Sequence, residues 1–357
     1  MLGYTHFRQY QSDITNVTGS NITIMNSIWI VIVNYRTADL VVDCLRSLSL
    51  QIGEFNKIRI EVVDNDSGDD SVLKIASAIQ QENWSAWADV IPLAKNGGFA
   101  FGNNSSIKNA LASTELFDYV MLLNPDTVAL PRAIKTLVDF MDANPQAGIA
   151  GSQLQNADGS VESSAHTFPT PLSELEGGAR LGLLSRLLHR YAVTPASQAV
   201  IHQCDWVSGA SMIIRRQVIE DIGLMDEGYF LYFEEVDYCY SARRAGWQCW
   251  HVPSSSVLHL EGSSTGIRVA SKRRAAYWFD SRRRLFYKCY GIAGLIAADV
   301  LWTIGRLSYL LRRSLRLGGG KNEQNIPDWF MFDLLWGDLK AILTGRLWRI
   351  THDGKLA

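Results

Sequence analysis

Cysteine is scarce in this sequence, and the cysteines that occur are not paired. Five are scattered over 357 residues, and no C-x-x-C pair is present. A disulfide scaffold or a structural zinc site needs closer, paired spacing. We therefore exclude both classes and expect a reduced, cytosolic compartment.

Net charge is also nearly absent. Lys plus Arg number 34 and Asp plus Glu number 36, for a formal net charge of −2, so nucleic acid is not an expected partner. The charges are nevertheless segregated. Residues 268–321 hold thirteen basic and two acidic residues, which leaves 21 basic and 34 acidic residues elsewhere.

Glycine-rich phosphate-binding motifs are missing as well. Neither G-x-G-x-x-G nor G-x-x-x-x-G-K-[ST] occurs, which disfavours dinucleotide-binding and P-loop enzymes. The N-terminus has no basic start followed by an apolar core, so a signal peptide is not predicted. We interpret residues 1–27 as a polar N-terminal extension.

The sequence does contain regular alternation of strands and helices. Residues 28–33 form an unbroken apolar run, rich in isoleucine and valine, typical of a strand covered on both faces. Strand and helix patterns then alternate up to about residue 123, which predicts βαβ units and a mostly parallel sheet. Ligands bind at the carboxyl ends of such strands.

Polar or glycine-rich clusters follow four successive predicted strands. Each cluster alone is ordinary loop chemistry, but four at one sheet edge predict a binding site. The clusters are 34–36, 64–69, 96–99 and 124–127.

Asp126 and His259 are candidate metal ligands. Asp126 ends a predicted buried strand, and hard cations such as Mg²⁺ choose oxygen ligands; the alternative is a helix N-cap. His259 precedes a polar turn and is either a satisfied core residue or a partner of Asp126 on the metal.

Glu234 and Glu235 are adjacent carboxylates within an aromatic segment. Desolvation and mutual repulsion should raise at least one pKa, which makes a carboxylate usable as a general base. The alternative is that both acids only favour a helix N-terminus.

The region from about 289 to 317 is apolar but interrupted by charges. Charges near the middle disfavour a spanning helix, whereas apolar residues at helical spacing predict one apolar stripe. Together with the arginines upstream, this predicts a helix lying on an anionic membrane face. Packing on the main domain or on a partner subunit stays the alternative. The stripe is Ile296, Val300, Ile304, Leu307, Leu311 and Leu315, and the upstream arginines are Arg273, Arg274, Arg282, Arg283 and Arg284.

Taken together, these segments resemble glycosyltransferase family 2, the inverting nucleotide-sugar transferases of GT-A fold, and in particular its bacterial rhamnosyltransferase branch. The matching stretches are IVIVNYRTADLVVDCLRSL, VVDNDSGDDS, NGGFAFGNN, LLNPDT, WVSGASMIIRR, GYFLYFEEVDYCYSARRAGW and VLHLEGSST. The resemblance implies an α/β GT-A domain over 28–265, with a Rossmann-like, mostly parallel twisted sheet and flanking helices. We expect a helical, basic, amphipathic region over 266–357 that associates with a membrane or oligomerises.

The resemblance also implies roles for single residues. Asp126 stands for the last Asp of the family's D-x-D motif, with Asn in its first place, and His259 matches a histidine that can ligate the metal. Glu235 falls where many members carry the base, and Glu234 is the alternative base. The expected cofactor is a divalent metal, Mg²⁺ or Mn²⁺. Donor-binding residues would be Asn34, Arg36, Asp64, Asn96, Gly97, Gly98, Phe99 and Asn124, and acceptor-binding residues Trp206, Gly209 and Tyr232.

The expected reaction moves L-rhamnose from dTDP-rhamnose to a hydroxyl of a lipid-linked or polysaccharide acceptor in bacterial cell-surface glycan synthesis. We expect the enzyme to be cytoplasmic, peripherally associated with the inner face of the cell membrane, and able to form a homo-oligomer through its C-terminal region. Two other functions stay open: a nucleotidyltransferase on a similar sheet, and a catalytically dead, membrane-associated binding or scaffold protein.

Overall fold

The computed structural model of the protein describes residues 27–180, 192–194, 199–260, 273–315 and 329–347. The N-terminal extension predicted over 1–27 lies outside these residues except for Ser27, which begins the first strand. The end of the predicted catalytic domain, residues 261–265, also lies outside them.

The described chain folds into alternating strands and helices. The strands are β1 (Ser27–Asn34), β2 (Lys57–Asp64), β3 (Ala88–Pro92), β4 (Tyr119–Leu123), β5 (Thr127–Ala129), β6 (Ala147–Gln155), β7 (Val161–Glu162), β8 (Ala165–His166), β9 (His202–Cys204), β10 (Trp206–Val207), β11 (Ser211–Arg215) and β12 (Gln248–His259). The helices are α1 (Ala38–Ser49), α2 (Ser71–Gln81), α3 (Phe99–Ala112), α4 (Ala133–Ala143), α5 (Pro171–Ala179), α6 (Arg216–Ile222), α7 (Glu234–Arg244), α8 (Ala276–Ser314) and α9 (Phe330–Leu343), with a 3₁₀ turn at Ile52–Glu54.

One mixed sheet organises the domain. Its strands lie in the order β3-β2-β1-β4-β11-β6-β12-β5, with β7 beside β6 and β9 beside β12. Six of the eight strands along this path run in one direction, and only β11 and β5 run against them. The predicted mostly parallel sheet with flanking helices is confirmed.

Strand β1 lies between two hydrophobic cores. Ile28, Ile30 and Ile32 pack in the core on one face of the sheet, beneath α1. The intervening Trp29, Val31 and Val33 pack in the core on the other face. Because side chains alternate along a strand, an unbroken apolar run is required when both faces are covered.

Helix α8 is long but not continuous. Gly291 has φ 66° and ψ −173° and breaks the helical geometry. Among the residues that the structure describes, α8 is the one helix long and apolar enough to cross a membrane, judged by length and composition alone.

Three of the five arginines expected to face a membrane, Arg282, Arg283 and Arg284, are used inside the protein instead. The Arg282 side chain is 2% exposed and pairs with Glu174 at 2.8 Å and with Asp299 at 2.9 Å. Arg283 binds the buried Asp338, and Arg284 binds Asp226. These pairs tie α8 to α5, α9 and the segment before α7, because a buried guanidinium needs carboxylate partners.

The predicted apolar stripe of α8, by contrast, is exposed. Its six residues are between 45% and 60% exposed, and α9 presents further apolar side chains such as Phe332 and Trp336. The second half of α8 therefore packs on the domain by its other face, where Gly305 approaches the backbone of α5.

Candidate active site

A cavity of about 570 Å³ opens at the carboxyl ends of the parallel strands. Loops after β1, β2, β3 and β4 contribute to its wall, as does the start of α7. The structure thus brings together ten of the predicted site residues: Asn96, Gly98, Phe99, Asn124, Asp126, Gly209, Tyr232, Glu234, Glu235 and His259.

Asp126 and His259 are brought together by strand pairing. Strand β5 follows Asp126 directly and pairs antiparallel with the end of β12, with Thr127 opposite His259. The amide of Leu260 donates to the carbonyl of Asp126 at 2.8 Å. Helix α4 begins only at Ala133, so the alternative of Asp126 as a helix N-cap is excluded.

The Asp126 carboxylate suits a divalent cation. Its Oδ1 is buried, makes no hydrogen bond within the described ranges, and lies 3.5 Å from Nε2 of His259. That distance is at the outer limit of a hydrogen bond. Divalent cations are commonly held by one or two protein groups together with substrate phosphates. No set of three or more His, Cys, Asp or Glu side chains in the described part forms a metal site, so the pair fits this shared mode.

His259 carries two carboxylate neighbours. Its Nδ1 lies 3.1 Å from Oε2 of Glu162, on the side away from Asp126. Burial alone would lower the pKa of His259, but the carboxylates of Asp126 and Glu162, which face its two ring nitrogens, outweigh this effect and raise the pKa to about 9. Without a bound cation, the imidazolium itself balances the two carboxylates.

Glu234 and Glu235 begin helix α7 at the cavity wall. Burial raises the pKa of Glu235 to about 7. Burial, reinforced by the charge on Glu235, raises the pKa of Glu234 well above its ordinary value. Both Oε2 atoms are buried without a hydrogen-bond partner in the described structure. Both predicted effects, raised pKa and a helix N-terminal position, are therefore present.

The backbone before Glu234 is strained. Tyr232 and Phe233 both have φ 72°, a left-handed conformation that costs roughly 1–3 kcal/mol at a residue with a side chain. Such strain is found where the surrounding structure fixes a functional group, and here it directs the first turn of α7 towards the cavity.

The sequence profile of the family described as Glycosyltransferase like family 2 matches residues 26–277, well over half of the chain. The chain belongs to this family. The match spans the whole sheet and the cavity described above and ends as α8 begins.

Curated relatives agree with the family 2 assignment. An N-acetylglucosaminyl-diphospho-decaprenol L-rhamnosyltransferase of Mycobacterium tuberculosis is 31% identical over 216 residues, or 56% of this chain and 66% of the relative. A low-salt glycan biosynthesis hexosyltransferase of Haloferax volcanii is 28% identical, over 62% of this chain and 63% of the relative. Rhamnosyltransferase WbbL of Escherichia coli is 25% identical, over 46% of this chain and 61% of the relative. The chain thus aligns with just under two thirds of the length of each relative.

A solved structure has the same fold. The mannosyltransferase PcManGT from Pyrobaculum calidifontis, in complex with GDP-Man and Mn²⁺, superposes with a TM-score of 0.50 over 95% of this chain and 87% of its own. At 11% sequence identity, this likeness shows a GT-A-like fold and nothing finer.

Five predicted site residues of this family 2 chain do not line the cavity: Asn34, Arg36, Asp64, Gly97 and Trp206. The buried Asn34 donates to Asp64 at 2.7 Å, and the other Asp64 oxygen accepts from the Ser67 amide at 3.1 Å. The Arg36 side chain donates to the carbonyl of Ser67 at 2.8 Å. These contacts hold the loops after β1 and β2 together, and contact with a nucleotide base stays a prediction.

Trp206 lies outside the cavity lining, and its role as a stacking face for an acceptor stays a prediction. Its ring stacks on His166 at 4.1 Å, and its indole N–H donates to the carbonyl of Thr167 at 2.9 Å. The aromatic wall of the cavity is made by Phe230, Tyr232 and Tyr277. The ring centroid of Tyr277 lies 5.4 Å from that of Phe230 and 6.3 Å from that of Tyr232.

Asn65, Tyr277 and Glu162 are among the site residues that sequence reasoning missed. Asn65 donates to Oδ1 of Asn96 and to the carbonyl of Gly98, both at 3.0 Å, and its place between Asp64 and Asp66 was a usable signal. Tyr277 lies in α8 and Glu162 in β7, where no local pattern indicates a site, so only the tertiary structure shows them.

Proposed function

We propose that this chain is an inverting, metal-dependent rhamnosyltransferase that moves L-rhamnose from dTDP-rhamnose to a hydroxyl of a lipid-linked saccharide during synthesis of a bacterial cell-surface glycan such as O-antigen or cell-wall polysaccharide. Family membership supports glycosyl transfer. The names of the mycobacterial and Escherichia coli relatives support rhamnose, and the first of these names also supports a polyprenyl-diphosphate-linked acceptor.

One observation carries the proposal: Glu235 and the Asp126–His259 pair line the same cavity. A base for the acceptor and an oxygen ligand for a cation at the leaving group are the two functions that a metal-dependent, single-displacement sugar transfer uses. The cavity also has the aromatic wall that a sugar ring prefers to contact.

In the proposed reaction, Glu235 accepts the proton of the acceptor hydroxyl while that oxygen bonds to the anomeric carbon. The bond from this carbon to the donor diphosphate breaks on the opposite face, which inverts the configuration and leaves a nucleoside diphosphate. A pKa of about 7 suits this task, since a useful fraction of the carboxylate is ionised at neutral pH and still basic enough to take a proton.

Asp126 and His259 are the residues that would hold the cation, with Asn124 beside them at the cavity wall. A bound Mg²⁺ or Mn²⁺ supplies neutralisation of the negative charge on the departing diphosphate. Asn124 places an amide where the family motif has a second carboxylate, so the donor phosphates would complete the ligand set.

The test is release of nucleoside diphosphate from a panel of nucleotide sugars, with Mg²⁺ or Mn²⁺ and with EDTA, using bacterial lipid extract as acceptor source. Wild type should release dTDP from dTDP-rhamnose, EDTA should abolish the release, and Glu235→Gln should slow it by about 10²–10⁴-fold. The matched control is Glu115→Gln, which removes an exposed carboxylate far from the cavity and should leave the rate unchanged.

Other outcomes assign the alternatives. Pyrophosphate release from a nucleoside triphosphate would indicate a nucleotidyltransferase. No release from any donor, with an acceptor extract that a known rhamnosyltransferase can use, would favour the catalytically dead binding or scaffold protein. Release from a different sugar nucleotide would keep the transferase and replace rhamnose.

We also propose that the exposed apolar faces of α8 and α9 rest on the inner face of the cell membrane, which would place the cavity near a lipid-linked acceptor. Three observations support it: the exposed stripe of α8, the exposed Trp329 and Trp336 of the α9 segment, and the burial of Asp299 and Asp338. Tryptophan prefers the membrane interface, and the outward charge is mainly basic once these two acids are buried. The alternative occupant of this face is a second copy of the chain.

A further inference from the structure

We propose that Glu162 is a positioning residue that holds the imidazole of His259 with Nε2 turned towards Asp126, so that the two residues form a divalent-cation site. This inference rests on the proposed metal dependence of the transferase. Glu162 belongs to none of the sequence stretches that resemble family 2 and was not a candidate from sequence.

The contact geometry fits this role. Oε2 of Glu162 lies 3.1 Å from Nδ1 of His259, while Nε2 on the far side of the ring lies 3.5 Å from Oδ1 of Asp126. The side chain of His259 is 10% exposed and that of Asp126 is 3% exposed. A carboxylate acceptor at one ring nitrogen of a histidine fixes the ring orientation and leaves the other nitrogen for a metal, as in many metal sites.

Glu162 is itself held firmly. Strand β7 pairs with the end of β6, with Glu162 opposite Leu154. The buried amide of Gln153 donates to the backbone carbonyl of Glu162 at 2.9 Å. The turn that connects the two strands is closed by a 2.8 Å bond from the Asn156 amide to the Ser160 carbonyl. A side chain on so short and anchored a hairpin can set the position of its neighbour.

Strand β7 also explains why this residue reaches the site. β6 and β12 are parallel neighbours, and β7 pairs with β6, so the hairpin lies alongside the end of β12 that carries His259. Asp126 arrives from the other neighbour of β12, strand β5. His259 is therefore enclosed by a carboxylate from each side of its strand.

The experiment measures Mn²⁺ binding to the full chain directly, by electron paramagnetic resonance titration with dTDP present and no acceptor. The variants are Glu162→Ala, Glu162→Gln, His259→Ala and the double variant E162A/H259A. The matched control is Asp158→Ala, which removes an exposed carboxylate from the same hairpin without touching His259. Far-ultraviolet circular dichroism and thermal unfolding establish that each variant is folded.

We expect Glu162→Ala to weaken Mn²⁺ binding by 10- to 100-fold, in the range typical of residues that orient a metal ligand. Glu162→Gln keeps an acceptor oxygen and should weaken it less, so this variant preserves the test if the alanine variant does not fold. The double variant should bind no more weakly than His259→Ala alone, because Glu162 acts through His259.

Two results overturn the inference alone: wild type binds Mn²⁺ and Glu162→Ala binds it equally well, or Glu162→Ala weakens binding further when His259 is already alanine. If wild type with dTDP does not bind Mn²⁺ at all, the proposed metal dependence fails and this inference fails with it. Turnover that survives EDTA would then identify a metal-independent transferase.

Discussion

The amide of Phe99 donates a 2.9 Å hydrogen bond to the carbonyl of Phe230, which joins the loop after β3 to the loop before α7. Gly98, the residue before Phe99, makes this contact possible. A Cβ at Gly98 would overlap the backbone of Phe230, and φ 91° is itself unfavourable for any other residue. The hydrogen bond thus joins two walls of the cavity, and this close approach requires a glycine at position 98.

Gly98→Ala should therefore separate the two loops. We expect a loss of stability greater than the roughly 1–3 kcal/mol of backbone strain and a raised KM for the donor. Gly223→Ala is the matched control, since Gly223 has a similar φ of 82° but nothing within 4 Å of a Cβ. Urea unfolding and donor kinetics measure both variants. Equal stability loss and unchanged KM would show that the Phe230 contact does not shape the site.

The rate should depend on pH through Glu235. Only the ionised carboxylate can accept a proton, so kcat/KM should rise with pH and level off above about 7. Glu235→Gln should lower kcat by about 10²–10⁴-fold and remove this dependence. Glu234→Gln should keep it, because Glu235 is still present. A pH limb that persists in Glu235→Gln would assign the base to another group.

Glu235 should also make stability depend on pH. A carboxylate whose folded pKa is raised from 4.5 to about 7 binds its proton more tightly in the folded state, so its stabilising contribution is present at low pH and lost as pH rises through 7. Glu235→Gln should therefore be more stable than wild type at pH 8, by about 1–3 kcal/mol, with the difference closing towards pH 4.5. Urea unfolding at both pH values tests this, and Glu115→Gln should show no such change. A wild type as stable as Glu235→Gln at pH 8 would mean that Glu235 titrates near its ordinary pKa.

Arg282 should be a stability residue and not a lipid contact. Replacing it with Met leaves the buried carboxylate of Asp299 without its partner and Asp338 with Arg283 alone, which should cost about 3–5 kcal/mol of unfolding free energy. Arg273→Met is the control, because its pair with Asp333 is at the surface and should contribute less than about 1 kcal/mol. Similar unfolding curves for both variants would contradict the buried network.

Vesicle binding should depend on the exposed face of α8. The triple variant I304Q/L307Q/L311Q should bind phosphatidylglycerol vesicles about 100-fold less well, since it removes roughly 3 kcal/mol of partly buried apolar contact. The triple variant L50Q/L73Q/L116Q changes three leucines elsewhere that are even more exposed, and it should bind like wild type. Unchanged binding in the first triple variant, with loss of a dimer in sedimentation, would assign this face to a second copy of the chain.

Much of the site could be predicted because it follows strand ends. Asn124 and Asp126 closely follow the buried strand β4, Asn96 lies in the loop after the half-buried β3, and parallel strands bring their carboxyl ends to one edge. Local patterns therefore located the cavity residues before any contact was known. The same reasoning could not distinguish side chains that face the cavity from side chains that hold the loops together. It therefore included Asp64, which lies outside the cavity lining.

The sequence by itself determined the two-faced burial of β1, the order of strands and helices, and the family, since these follow from periodicity and from motifs contiguous in the chain. Only the tertiary structure decided that Arg282 is an internal ion-pair partner, that Trp206 stacks on His166, and that Glu162 reaches His259. The physical reason is that charge and aromaticity indicate what a side chain can bind. Which partner it meets depends on contacts between strands and helices that are distant in sequence.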